Sequence, residues 1–177
     1  MKNIYFATSN QNKLREVRAI LGRNIEMLDA DLPEIQSVNV EDVVEDKVRR
    51  AFEKYNKILI VEDTGLYLEE WSGFPGALAK WLVQTAGIEK WCAMLHGNRR
   101  ATAKTCVAYF DGKKFQTFVG EIQGTIAEKP RGENNFGWDP IFIPDNYKNT
   151  FAEMSPDEKN AISHRSKAFL KLKNFLS

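Results

Sequence analysis

Ile58-Leu59-Ile60-Val61 runs straight into Glu62-Asp63. Four successive apolar residues, three of them β-branched, suit a strand covered on both faces better than one with a wet side. Such a strand needs helices above and below it, which restricts the chain to an α/β fold. The two carboxylates follow the run directly, at the carboxyl end of the strand, where open α/β sheets gather their ligands. Thr64-Gly65 is expected to turn the chain there.

Apolar spacing fills in the layers around this strand. Ile4-Tyr5-Phe6-Ala7 reads as a short buried strand. It leads through Thr8-Ser9-Asn10 into a helix with Leu14, Val17, Ile20 and Leu21 on one face, ending near Gly22. Residues 25–28 suit a second strand, 29–40 are irregular, and 42–55 form a helix striped by Val43, Val44, Val48, Ala51 and Phe52. A Gly- and Pro-bearing loop at 72–76 precedes helices over 77–85 and 88–96. Residues 101–110, 114–119 and 121–128 read as successive strands, with Asp111-Gly112 as a hairpin signal. A Gly-rich loop at 129–139 and a short strand at 141–143 follow. Ser155 as N-cap, Pro156 at the first helical position and Glu158 closing a capping box open the final helix. That helix should turn Ala161, Ile162, Ala168, Phe169, Leu172 and Phe175 inward. The expectation is a single α/β domain over residues 1–177, with two lobes around a long mixed β-sheet and an active-site cleft between them.

Composition narrows the partners. A chain of 177 residues, 43% hydrophobic and 28% charged, can bury one substantial core. Its net charge of +1 gives no general attraction to nucleic acid or membrane, so any anion site must be built locally. Cys92 and Cys106 lack metal-ligand spacing and read as buried free thiols. With no leader segment and no apolar run long enough to span a bilayer, a cytoplasmic protein is expected.

Three polar clusters could build the anion site. In Thr8-Ser9-Asn10-Gln11-Asn12-Lys13, a strand enters a helix through small residues whose N–H groups can receive a phosphate. Lys13 falls in the first turn, where the helix dipole disfavours a cation unless an anion faces it; an ordinary cap by Ser9 or Asn10 with a solvated lysine accounts for the same residues. Glu62 and Asp63 can hold a magnesium ion through oxygen ligands, with Glu34 reaching in from the irregular segment, and one acid can deprotonate water. Lys159, His164 and Arg165 offer cations for a phosphate or a base carbonyl, although Glu158-Lys159 also fits a solvated helix face. His96, in a polar loop, looks incidental. Phe136-Gly137-Trp138-Asp139 combines rings able to stack on a purine with a carboxylate able to read its edge, while some of these rings equally suit a core.

Taken together and in order, these segments resemble the inosine triphosphate pyrophosphatase family over nearly the whole chain. The resemblance rests on Thr8 to Lys13, Leu32-Pro33-Glu34, Val61-Glu62-Asp63-Thr64-Gly65-Leu66, Gly73-Phe74-Pro75-Gly76, Phe136-Gly137-Trp138-Asp139-Pro140 and Glu158 to Arg165. It implies a magnesium-dependent homodimer that converts ITP, dITP or XTP to the nucleoside monophosphate and pyrophosphate. By matching positions, Thr8, Ser9, Asn10, Gln11, Asn12 and Lys13 would hold phosphates, with Thr64, Lys47 and Lys80 as further substrate contacts. Glu34, Glu62 and Asp63 would serve the metal, and Asp63 would activate water. Phe136, Gly137, Trp138 and Asp139 would form the base pocket, with Lys159, His164 and Arg165 completing base and phosphate recognition. Ser9 stands where many members have glycine. The aromatic-rich region from Trp81 to Trp91 is the expected dimer contact.

Overall fold

In the computed structural model, residues 3–22, 25–30, 32–133 and 136–177 are described. Asp31 of the irregular segment and Asn134 and Asn135 of the Gly-rich loop lie outside the described residues. Strand β1 (Ile4–Ala7) leads to helix α1 (Gln11–Leu21) and β2 (Glu26–Leu28), and α2 (Val40–Tyr55) leads to β3 (Ile58–Leu68). Then come β4 (Pro75–Gly76), α3 (Ala79–Ala86), α4 (Ile88–Met94), β5 (Arg100–Phe110), β6 (Phe115–Ile126), β7 (Phe142–Pro144), α5 (Pro156–Ile162) and α6 (His164–Leu176).

The strands form one mixed sheet in the order β2-β1-β3-β5-β6-β7, with β4 added beside β3. β1 lies parallel to both β2 and β3, as short β-α-β crossovers require, and the rest is antiparallel. Strand alternation then sorts β3 onto two faces. Leu59 and Val61 pack beneath α2 with Val44, Val48, Ala51 and Cys106. On the other face Ile60 joins Phe6, Val17, Phe169 and Leu172 under α1 and α6, while Leu66 and Leu68 join Trp91, Phe142 and Phe151 in a second cluster further along the strand. Between those two clusters, on the same face, sit Glu62 and Thr64. The long strands β3, β5 and β6 thus carry two separate cores with a polar seam where the lobes meet.

Several local expectations need correcting. Thr64-Gly65 does not turn the chain: β3 continues to Leu68, paired to β5 without interruption from Leu59 to Leu68. Gly65 instead admits the backbone of Gly76 and Ala77, which would lie 2.7–2.9 Å from a Cβ there. Residues 114–119 and 121–128 are one strand, because Gly120 keeps its pairing with Thr105. The final helix is two: Ser163 ends α5 in an extended conformation and caps α6, its hydroxyl accepting from Ser166 N. Ala161, expected inward, is exposed, and Lys159, which fits a solvated face in sequence, is buried at 3% exposure. Trp91 is fully buried, so of the proposed aromatic contact only Trp81, 55% exposed, is available at the surface. Cys92 and Cys106 are buried free thiols. No described helix is long and apolar enough to cross a membrane.

Candidate active site

Where β1 ends at Ala7, β3 loses its parallel neighbour before β4 joins it at Leu66. That gap in the sheet opens into a cleft of about 1170 Å³. Thr8, Ser9, Asn10, Asn12, Lys13, Glu34, Lys47, Glu62, Asp63, Thr64, Lys80, Phe136, Gly137, Trp138, Asp139, His164 and Arg165 all line it. Two expected residues do not. Gln11 turns outward, its amide 3.2 Å from Met27 Sδ, and Lys159 lies behind the wall, its Nζ 5.0 Å from the centre of the Phe136 ring.

The chain after β1 is ordered by local capping hydrogen bonds. Asn10 is the N-cap of α1, its side-chain oxygen accepting from Asn12 N and Lys13 N at 3.0 and 3.2 Å. Thr8 Oγ1 accepts from Asn10 N. Lys13 needs no exposed position: its Nζ lies 3.3 Å from Glu62 Oε2.

Behind the cleft floor runs an alternating series of charges. Asp139 Oδ2 accepts from Lys159 Nζ at 2.6 Å, and Lys159 reaches Glu16 at 3.1 Å. Glu16 binds Arg165 Nη1, Arg165 Nη2 lies 3.2 Å from Glu62 Oε1, and Glu62 meets Lys13. Thr64 donates its hydroxyl to Glu62 and shares a 2.8 Å hydrogen bond with Thr105. Burial would raise the Glu62 carboxyl, but Arg165, Lys13 and the Thr64 hydroxyl hold it well below the usual range. Burial likewise opposes ionisation of Glu16, and Arg165 and Lys159 reverse the sign. For Asp139 burial wins, pushing it up to about 6 against the pull of Lys159.

Asp63 differs from its neighbour because consecutive strand residues face opposite ways. It sits on the α2 side, where no described group donates a hydrogen bond to its carboxylate. Burial raises it to about 6, against the pull of Lys13 and Lys47 and with help from Glu34 and Glu62. Glu34 is bound to Lys47; burial opposes its ionisation, but Lys47, Lys80 and Lys13 together leave it below its ordinary value. Among the described residues no three acidic, histidine or cysteine side chains are gathered closely enough to hold a metal. The expected trio Glu34, Glu62 and Asp63 is therefore spread across the cleft, with Glu34 tied to Lys47 and Glu62 facing the other side of the sheet.

The aromatic wall is partly core. Trp138, 8% exposed, stacks on His164 at 5.3 Å and meets Phe142 edge-on; Phe151 stacks on the same imidazole at 5.8 Å. Burial first, then the charges of Arg165 and Lys159, drives the His164 pKa well below its ordinary value, so the ring is neutral, with Nδ1 lacking a partner. Phe136 is half-buried and has both Lys159 and Arg165 against its ring. Glu16 and Thr105 were missed in the sequence. Glu16 was within reach, since it stands one helical turn after Lys13 on the same face; Thr105 carries no signal of its own.

A family model described as the Ham1 family matches residues 4–175. A dITP/XTP pyrophosphatase of Methanopyrus kandleri is 43% identical over 93% of this chain and 91% of its own length. An inosine triphosphate pyrophosphatase of Kluyveromyces lactis is 40% identical over 98% and 95%. Among solved structures, a HAM1 protein from Coxiella burnetii superimposes with a TM-score of 0.87 at 28% identity, covering 99% of this chain and 98% of that one. With the fold, the cleft and these matches agreeing over nearly the full length, the chain belongs to the Ham1 family.

Proposed function

We propose that this protein hydrolyses non-canonical purine nucleoside triphosphates (ITP, dITP and XTP) to the nucleoside monophosphate and pyrophosphate, clearing them from the nucleotide pool. The observation that carries the reading is a single cleft lined by both residue sets, which on this reading form a phosphate end and a base end. Thr8, Ser9, Asn10, Asn12, Lys13, Lys47 and Lys80 would form the first, and Phe136, Asp139, His164 and Arg165 the second; all of them line the cleft. The names of the relatives agree with it.

Asp63 is the base that takes a proton from the attacking water. Raised to about 6, its carboxylate is ionised at neutral pH yet basic enough to accept that proton. Lys13 exchanges Glu62 for the phosphate chain, and Lys47 exchanges Glu34. The acids present fit a hard divalent cation in kind: Glu62 Oε2 is buried against the Lys13 ammonium 3.3 Å away, and Asp63 and Glu34 line the same cleft. Those three would hold Mg2+ once Lys13 and Lys47 release Glu62 and Glu34 to gather with Asp63, and the ion when bound would neutralise phosphate charge. At the base end Arg165 supplies donors only, so a keto oxygen at purine carbon 6 is matched while an adenine amine is left facing another donor. Such a mismatch costs about 1–3 kcal/mol, or roughly ten- to hundredfold in discrimination. The protein works as a homodimer in the cytoplasm on this reading, binding neither nucleic acid nor membrane.

The test is product analysis with magnesium present. ITP should yield IMP and pyrophosphate, and Asp63→Asn should lose about 10²–10⁴ in kcat while still binding ITP. Release of orthophosphate would show that the wrong bond had been assigned.

A further inference from the structure

The seam between the two cores continues beyond the cleft. Thr64 on β3 pairs with Thr105 on β5, which pairs with Gly120 on β6. These three form one row across the sheet, on the face that carries Arg165. Phe118, two residues before Gly120, belongs to one core, and Ile122, two residues after it, packs against the other. A glycine inside a strand has no side chain to pack and weakens it, and Gly120 has no positive φ that would require one. Space is the remaining reason. A Cβ at position 120 would lie 2.1 Å from His164 O, 2.5 Å from Ala168 N and 2.9 Å from Lys167 Cβ.

Two of those atoms belong to the backbone of the first turn of α6, at the i and i+4 positions. No rotamer change can move them aside; the helix itself must lift. The contact is also clamped on both sides of the glycine. Lys167 Nζ donates to Glu121 O at 2.9 Å, and Lys171 Nζ to Val119 O at 2.6 Å. His164 and Arg165 are the first two residues of the helix seated here, and Arg165 reaches back along the row to Thr64 and Glu62.

We propose that Gly120, with the flanking carbonyls of Val119 and Glu121, is a positioning element that sets how deeply His164 and Arg165 enter the base end of the cleft, and thereby how well the enzyme separates purine bases. Gly120 touches no substrate and lies two strands from β3. The inference deepens the pyrophosphatase reading and rests on it. A methyl group at 120 displaces the start of α6 outward, so the Arg165 fork no longer meets the carbon-6 oxygen, while the phosphate end, built on β1 and α1, stays in place.

The experiment compares wild type, Gly120→Ala and Gly112→Ala in turnover of ITP and ATP and in inhibition by inorganic tripolyphosphate. Gly112 lies in the β5–β6 hairpin, where a Cβ would meet the Phe52 ring at 2.4 Å and φ is +91°, so its alanine variant is strained at the hairpin and not at the seat of His164 and Ala168. Expected for G120A is a fall of about tenfold or more in the ITP-over-ATP ratio of kcat/KM, carried mainly by KM for ITP. Tripolyphosphate inhibition should hold for all three proteins, and G112A should keep the wild-type ratio. A Lys167→Ala/Lys171→Ala double variant loosens the same seat without adding bulk and should move the ratio the same way, by less. An unchanged ratio in the double variant overturns the proposal whether or not G120A folds, and so does an equal shift in G112A. A wild type that leaves ITP intact overturns the functional reading as well; one that cleaves ITP beside a folded G120A of unchanged ratio overturns this inference alone.

Discussion

The two ends of the cleft, proposed above to take the base and the phosphates, are built on different principles. At the base end every charge is met by another before any ligand arrives: Asp139 by Lys159, Lys159 by Glu16, Glu16 by Arg165, with side chains of Lys159, Asp139 and Arg165 only 3–5% exposed. At the phosphate end Lys47 holds Glu34, whose side chain is 34% exposed, Lys80 is exposed, and Lys13 reaches in from the opening to the buried Glu62. A buried pair must be complete to be tolerated, because either partner alone is a desolvated charge. A half-open pair can come apart in water at little cost. The base end is therefore suited to rejecting ligands of the wrong shape and polarity, and the phosphate end to exchanging its carboxylates for a triphosphate.

Removing one cation from each end should separate the two most clearly. Lys159→Met strands Asp139 against a wall of protein and should cost about 3–5 kcal/mol of folding stability. Lys47→Met leaves Glu34 free to hydrate and should cost less than about 1 kcal/mol, while raising KM for ITP. Urea unfolding of the two variants beside wild type reads the difference directly. Equal losses would mean that the ends are not built differently at all.

A smaller effect tests whether His164 is held neutral. Its folded pKa is depressed, so in acid the unfolded chain binds a proton that the native protein refuses. The His164 contribution is complete above about pH 6.5 and declines as pH falls below it. Asp139 works in the opposite sense: raised to about 6, it contributes stability in acid that is lost as pH rises through that value. Comparing wild type with His164→Gln cancels the Asp139 part. The stability advantage of wild type should shrink by about 1–2 kcal/mol between pH 7.5 and 5.0. A constant gap in urea midpoints would show that the imidazole titrates as it does in water.

Much of the framework was legible because it follows from periodicity. The Ile58–Val61 run announces a covered strand, the stripes of α1 and α2 announce their inner faces, and Ser155, Pro156 and Glu158 form the capping box found in the structure. What failed was the seam. Glu62-Asp63-Thr64-Gly65 looks like a turn because it is polar, yet it is strand whose side chains face a cleft rather than a core. The apolar pattern continues past Ser163 and so hides the break there, although a serine that ends one helix can cap the next. The depth of Lys159 was hidden for a different reason: burial of a lysine depends on partners 20 and 143 residues away, which no local pattern contains.

The smallest change addresses the one substitution within a family motif. Ser9 is exposed where the chain leaves β1, and the α1 cap is made by Asn10, not by the Ser9 hydroxyl. Ser9→Gly therefore removes no described hydrogen bond and should act mainly through the unfolded chain, costing about 0.4–1 kcal/mol. Because the phosphate end exchanges partners rather than enclosing them, KM for ITP should move less than about threefold, well under 1 kcal/mol. A tenfold change would mean that the loop's backbone approaches the phosphates as closely as Gly120 admits α6, and that the phosphate end too depends on a preset fit.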